Sequence, residues 1–319
     1  MTIIPSTIAA GEQPEAGMLT GALPVPPATP PSTRRPRRFG ATLLRNGKAV
    51  AGLVLLVVFI LIAVLAPVIA PGDPKAFIGD PWLEPSAEHW LGTTAKGQDV
   101  FALTVWGSRS SLFVGLTVGL VATLVGVLVG LAAAYFGKVV DEVLSVLTNI
   151  FLLLPGLPLL VVLAAFLPSG PGTIIIVLVI TGWAGSARVV RSQAMSIRAK
   201  DFVAASVVTG ERPARIMFRE ILPNMASIVM STLLACVIFG IGAQAGLEFL
   251  GLGDPSSVSW GTNLFWASSD GALLTGAWWT FVPSGVCIAL VAFALAMINY
   301  AVDEVTNPRL RTRRKQAGR

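Results

Sequence analysis

Histidine, cysteine and charge are all scarce in this chain. A single histidine, His89, cannot assemble a multi-histidine metal site. The two cysteines, Cys236 and Cys287, fall inside apolar runs and read as small buried side chains, not as a disulfide or a metal pair. Only 13% of the 319 residues are charged, and the interiors of the long apolar runs hold no Asp, Glu, Lys, Arg or His; Glu248 and Asp303 stand at run ends. Ion-coupled carriers and proton pumps bury ionisable relays in the membrane, at about 2.5–3.5 kcal/mol per charge, so ion coupling is disfavoured. No Gly-x-x-x-x-Gly-Lys-Ser/Thr phosphate loop exists either. Gly47-Lys48-Ala49 and Gly137-Lys138-Val139 lack the hydroxyl and the glycine spacing, so the chain is not expected to hydrolyse ATP. A membrane enzyme would need a nucleophile, metal cluster or carboxylate pair facing a cavity, and no such constellation is visible. The chain reads as a non-enzyme with no cofactor and no metal.

What is present is apolar length. With 54% hydrophobic residues and a mean hydropathy of +0.76, an ordinary soluble domain is excluded and an all-α, membrane-embedded bundle is expected. A span needs about 20 apolar residues to cross roughly 30 Å of hydrocarbon. Six runs qualify, near residues 50–69, 112–136, 143–167, 173–187, 226–248 and 280–302. The fourth is the shortest, and Gly182, Trp183 and Gly185 interrupt its lower half. With the N-terminus inside, the inner segments carry 20 of the 23 Lys and Arg, leaving Lys75, Lys96 and Arg109 outside. The positive-inside rule then places both termini in the cytoplasm. This accounts for the pI near 9.8, and because the charge is split among membrane-flanking blocks, nucleic acid is not an expected partner. Residues 1–44 are rich in Pro, Ala, Thr and Gly and lack a signal-type apolar core; they read as a disordered cytoplasmic tail. Residues 45–311 form the expected membrane domain, and 312–319 a basic cytoplasmic tail.

Along the chain, Pro67, Pro71 and Pro74 stop the first run as it leaves the membrane. An external segment follows, roughly 71–110, which is expected to lie over the outer mouth of the bundle. The second run carries Gly115-xxx-Gly119 and Gly126-xxx-Gly130, spacings that let helix backbones approach closely in lipid. The third contains Leu154-Pro155-Gly156-Leu157-Pro158, which should kink or unwind it. Pro155 and Pro158 therefore mark either a packing kink or a break beside a pathway, since freed carbonyls are tolerated where protein or water covers them. A second outer segment, 251–279, holds Trp260, Trp266, Trp278 and Trp279 and no Lys or Arg. Trp278 and Trp279 suit the interfacial belt. Trp260 and Trp266 lie further from the span and are candidates to line the external opening.

The most informative stretch is 188–224, a polar segment with seven Lys/Arg wedged between two apolar runs. Asp201 to Ser206 has a helix-compatible mix, Gly210 offers a C-terminal stop, and Pro213 favours a second helix start. Helix, glycine turn and helix make a compact knob suited to a groove on another protein. The competing reading is an amphipathic segment lying on basic-residue-attracting lipid headgroups.

Residues Ala204-Ala205-Ser206, Gly210 and Leu222-Pro223 resemble the cytoplasmic coupling loop of ATP-binding-cassette (ABC) importer permeases, whose pattern is Glu-Ala-Ala, three residues, Gly, nine residues, Ile-x-Leu-Pro. Two positions depart: Ala204 stands for the acidic residue and Glu220 for the Ile, with Asp201 or Glu211 available as substitutes. Other motifs resemble the C-type permease of the dipeptide/oligopeptide/nickel group. They include His89-Trp90-Leu91-Gly92-Thr93-Thr94, Gly97-Gln98-Asp99, Gly107-Ser108-Arg109-Ser110-Ser111-Leu112 and Phe249-Leu250-Gly251-Leu252-Gly253 with Ser259-Trp260-Gly261. Asn307-Pro308-Arg309-Leu310-Arg311 closes the series. The resemblance implies a six-helix bundle of the type I ABC importer permease type, in the plasma membrane of a prokaryote. It also implies a second (B-type) permease, cytoplasmic ATP-binding subunits, an extracytoplasmic solute-binding protein and surrounding membrane lipids as partners. In that reading Asp201, Ala204, Ala205, Ser206 and Gly210 dock in the ATPase groove, and Arg215, Leu222 and Pro223 transmit its closure to the fifth span. Peptides are the implied cargo, with oligosaccharides as the alternative and an ion-coupled carrier as the outlying one.

Overall fold

The computed structural model describes residues 46–306, with side chains as far as residue 304; the expected tails 1–44 and 312–319 and the 307–311 motif lie outside the described residues. Among the described residues there is no strand, only an isolated bridge between Thr93 and Asp99. Helices dominate because lipid offers no hydrogen-bond partner, so each span must satisfy its backbone internally. Five helices are long and apolar enough to cross a membrane: α1 (Gly47–Val64), α2 (Val100–Phe136), α5 (Pro171–Arg198), α7 (Ala226–Phe249) and α9 (Val282–Thr306). Between the second and third of these, α3 (Lys138–Leu153) and α4 (Gly156–Phe166) form a pair bent by 87°, a sixth crossing only if counted together.

That bend lies at the expected prolines. Leu154 is extended, at φ −67° and ψ 135°, as the residue before a proline prefers, and Pro155 starts the next helix without a donor of its own. The expectation of one kinked span over 143–167 thus becomes two helices nearly at right angles. The fourth run changes in the opposite direction. Gly182, Trp183 and Gly185 do not interrupt α5, which continues for 28 residues and carries Arg188, Arg191 and Arg198 on its last turns. The polar loop therefore begins at residue 199, not 188. Helix α2 starts at Val100, twelve residues before the expected run, because Asp99 caps it by accepting from the Phe101 N–H at 3.0 Å.

Helix α2 is the centre of the bundle, and its two glycine pairs face different neighbours. A Cβ on Gly115 or Gly119 would sit 2.2 Å from Ile241 or Val237 of α7. On Gly126 it would sit 2.4 Å from the Ser186 Cβ, and on Gly130 2.7 Å from the Ala187 carbonyl, both on α5. One helix thus packs closely against two partners through two small-residue faces. Gly52 gives α1 the same closeness to α9, where a Cβ would lie 2.6 Å from the Ala294 carbonyl.

At one end of the bundle, residues 199–225 form a knob. At the other, residues 70–99 and 250–281 form a cap that includes helix α8 (Trp260–Ser269). Ser259 caps α8 with a reciprocal pair: its hydroxyl accepts from the Thr262 N–H at 3.0 Å, while the Thr262 hydroxyl accepts from the Ser259 N–H at 2.9 Å.

Candidate functional site

The knob starts where α5 ends. The Arg198 guanidinium donates to the Ala134 carbonyl at 2.8 Å and lies over the Tyr135 ring, tying the end of α5 to the end of α2. Three residues later α6 (Asp201–Val208) begins. Its stop is a Schellman turn: the Glu211 N–H reaches the Ser206 carbonyl at 3.2 Å and the Gly210 N–H reaches the Val207 carbonyl at 3.1 Å. Gly210 adopts φ +76°, which only glycine takes at little cost.

The return limb begins helically at Pro213–Arg215, widens into a π-turn over Ile216–Ile221 and tightens again at Leu222–Asn224. Wide turns of this kind are rare and concentrate at functional sites. Here the turn brings Ile216 and Ile221 onto one side, where both are fully buried with Val203 and Met225 against Val127, Leu131, Val190 and Ala194. The knob is thus fastened to α2 and α5 by an apolar underside. Its other side carries Asp201, Ala204, Ala205, Gly210, Arg215 and Pro223 exposed and Ser206 half-buried, while Leu222 packs against the underside cluster. Phe202, Val207, Val208 and Phe218 are also exposed there, Val208 at 87%. A knob-end groove is lined by Gly210, Glu211, Arg212, Arg215, Phe218 and Arg219. Of the two acidic substitutes, Glu211 is engaged by Arg215 at 2.9 Å, whereas Asp201 makes no ion pair among the described residues.

Above the knob, polar bonds fasten the bent pair. Arg191 clasps Asp141 through both carboxylate oxygens, with Nη2 at 2.7 Å, and Arg188 reaches Asn149 at 2.7 Å. Pro155 and Pro158 are exposed at the bend. Close to it opens a cleft lined by Leu152 of α3, Thr181, Gly182 and Gly185 of α5, and Ser231 and Thr232 of α7. The sequence signal for this cleft was present in the small residues that appeared to break the fourth run. They hollow one side of an intact helix.

At the cap, the four tryptophans separate. Trp266 is half-buried, donates to the Pro255 carbonyl at 3.0 Å, and has the Lys96 ammonium 3.2 Å above its ring. It lines a cavity of about 130 Å³ with Trp82, Lys96, Asn263 and Asp270. Trp260 corrects the expectation placed on it. It is 0% exposed, its indole donates to the Thr104 carbonyl at 3.1 Å, its backbone N–H donates to the Ser111 hydroxyl at 3.1 Å, and Phe59 meets its ring edge-on. It fastens the cap to the bundle and has no face free for an opening. Trp279 is likewise buried, donating to the Thr93 carbonyl, so only Trp278 suits an interfacial belt. Beside the tryptophans, Asp254 accepts from the Ser256 hydroxyl at 2.7 Å and the Ser256 N–H at 2.8 Å. These bonds, with Lys75 nearby, hold its carboxyl below the usual carboxylate range.

Glu248 was legible only as an acidic residue at a span end. In the structure it is 4% exposed and has no cation partner among the described residues; it accepts from the Ser259 hydroxyl and from the Gln244 amide at 3.0 Å.

A knob, a capped bundle and a bent crossing define a membrane permease, and comparison with known proteins gives the same class. Residues 126–312 match the model of the binding-protein-dependent transport system inner membrane component, and residues 37–85 match that of the N-terminal TM domain of oligopeptide transport permease C. The chain is 34% identical over 273 residues to the dipeptide transport system permease protein DppC of Bacillus subtilis, covering 84% of each chain. It is also 34% identical over 271 residues to the oligopeptide transport system permease protein OppC of the same organism, covering 83% of this chain and 87% of that one. A chain from an inward-facing MetNI methionine ABC transporter shares the fold, with a TM-score of 0.50 at 22% identity over 63% of this chain and 97% of its own. The chain belongs to the inner-membrane permease components of binding-protein-dependent ABC importers, in the branch marked by the oligopeptide permease C N-terminal domain. It is a multi-pass membrane permease and not an enzyme, one component of an importer in which ATPase subunits and a partner permease complete the transporter.

Proposed function

We propose that this permease forms half of a peptide-uptake path, with its knob and both termini in the cytoplasm. Its other half is a second, B-type permease. The observation that carries the reading is the knob itself, exposed and partly apolar on one side and seated on buried Ile216 and Ile221 on the other. Such a body receives a push and passes it on. Asp201, Ala204, Ala205, Ser206 and Gly210 enter the groove of an ATP-binding subunit, with Asp201 supplying the acidic group that Ala204 lacks. Arg215, Leu222 and Pro223 lie on the limb that leads into α7, and so relay the movement. The positive-inside distribution supports the orientation. The relatives named for dipeptides and oligopeptides support the cargo.

The cleft of Thr181, Gly182, Gly185, Ser231 and Thr232 is completed by Leu152, Val189, Ala235 and Phe239; its threonine and Ser231 hydroxyls donate within the protein, so a peptide chain would cross a largely apolar wall that selects no single side chain. Pro155 and Pro158 hold the bend beside it. At the cap, the cavity around Trp266 is where an extracytoplasmic solute-binding protein presents its cargo, and lipid covers the exposed apolar residues of α1. The test is reconstitution of the complete importer in vesicles with a radiolabelled tripeptide and internal ATP. Uptake displaced by other tripeptides and untouched by maltotriose is the expected result; displacement by maltotriose alone would assign the path to sugars.

A further inference from the structure

Helix α7, like α2, runs without interruption from the knob to the cap. Met225, immediately before it, is buried in the knob cluster with Ile216 and Ile221. Twenty-three residues later Glu248 lies in the cap, buried, accepting from the Ser259 hydroxyl. That same hydroxyl accepts from the Thr262 N–H and so also caps α8. The fit around the carboxyl is close. A Cβ on Gly261 would meet Glu248 Oε2 at 2.4 Å, and one on Gly253 would meet its Cγ at 2.7 Å. The next residue of α8, Trp260, is pinned to Thr104 and Ser111 of α2. One side chain therefore joins the end of the strut that rises from the knob to the start of the cap helix.

We propose that Glu248 is a positioning residue, a latch through which movement of the knob along α7 displaces α8 and the cap around the Trp266 cavity. This rests on the knob being the site that ATPases drive. A carboxyl suits the role because its two oxygens accept from two donors at once, Ser259 in the cap and Gln244 one turn earlier in α7. A buried, cation-free acidic group at a span end is also costly unless it serves such a purpose.

The experiment uses the complete importer in vesicles, carrying Ser268→Cys on the exposed side of α8. The readout is the change in labelling by a membrane-impermeant maleimide when ATP is added, corrected for the same protein without that substitution. The unaltered latch is expected to give an ATP-driven change in labelling. Glu248→Ala and Ser259→Ala are expected to assemble and hydrolyse ATP while losing at least about tenfold of that change. Glu248→Gln, which keeps an acceptor for Ser259, is expected to restore it. A full ATP-driven change in either alanine variant would overturn the latch. So would failure of both to assemble, because Glu248 would then be needed only for folding. Absence of any ATP hydrolysis or labelling change with the latch intact would count against the coupling reading itself, a distinguishable result.

Discussion

Gly210 holds φ +76° at the end of α6 with open space around its Cα, so the conformation and not crowding requires glycine. Valine there would force a β-branched residue into the left-handed region, at a cost of roughly 1–2 kcal/mol, and would unwind the Schellman turn. Gly210→Val is expected to leave assembly intact but lower the peptide imported per ATP hydrolysed; an unchanged ratio in vesicles would remove the knob from the coupling path. Asp254 makes a prediction about pH. Its carboxyl is held below its unfolded value by Ser256 and Lys75, so its contribution to cap stability is present above the unfolded pKa. That contribution is lost as pH falls through the lower folded pKa. Thermal melting of the detergent-solubilised chain across acidic pH should therefore show a loss that Asp254→Asn reduces. Both residues were visible in the sequence, but only Gly210 announced its role, because a glycine after a helical stretch has a strong local meaning. Asp254 depends on a hydroxyl two residues away and a lysine far off in the chain.

Among the elements, the helix pairs show what spacing predicts and what it omits. Gly115, Gly119, Gly126 and Gly130 were legible as close-packing positions, yet no local signal told that the first pair meets α7 and the second α5. Gly130→Leu must displace the Ala187 carbonyl or Val190, an overpacking cost of about 1–3 kcal/mol. It should lower the melting temperature of the purified chain. Gly242→Ala, an exposed helical glycine with nothing within reach of the new methyl, should raise it slightly, since alanine is favoured in helices by about 1 kcal/mol. Equal melting for the two variants would contradict the packing described. The fourth run was misjudged at this scale: glycine weakens a helix in water, but in lipid every break exposes backbone, so α5 continues through Gly182 and Gly185.

As a whole molecule, the chain is a passive gate with its motor elsewhere. Reconstituted alone, it should neither hydrolyse ATP nor accumulate a radiolabelled tripeptide against a gradient, measured by vesicle filtration. Concentrative loading by the single purified component would refute this. The family match removes the ion-coupled carrier and the membrane enzyme as readings. It agrees with the lack of a phosphate loop and the uncharged span interiors.

Composition, apolar length and the order of short motifs were enough to establish a membrane helix bundle with a polar helix–turn–helix knob, because both signals are local: lipid compels helices, and a turn declares itself through glycine and proline. Tertiary structure alone decided that the 154–158 break opens to 87°, that Trp260 is a buried fastener, and that Glu248 joins the span above the knob to the cap helix. Each of those depends on which distant residue lies opposite, and a partner such as Ser111 for Trp260, 149 positions away, leaves no mark on local sequence.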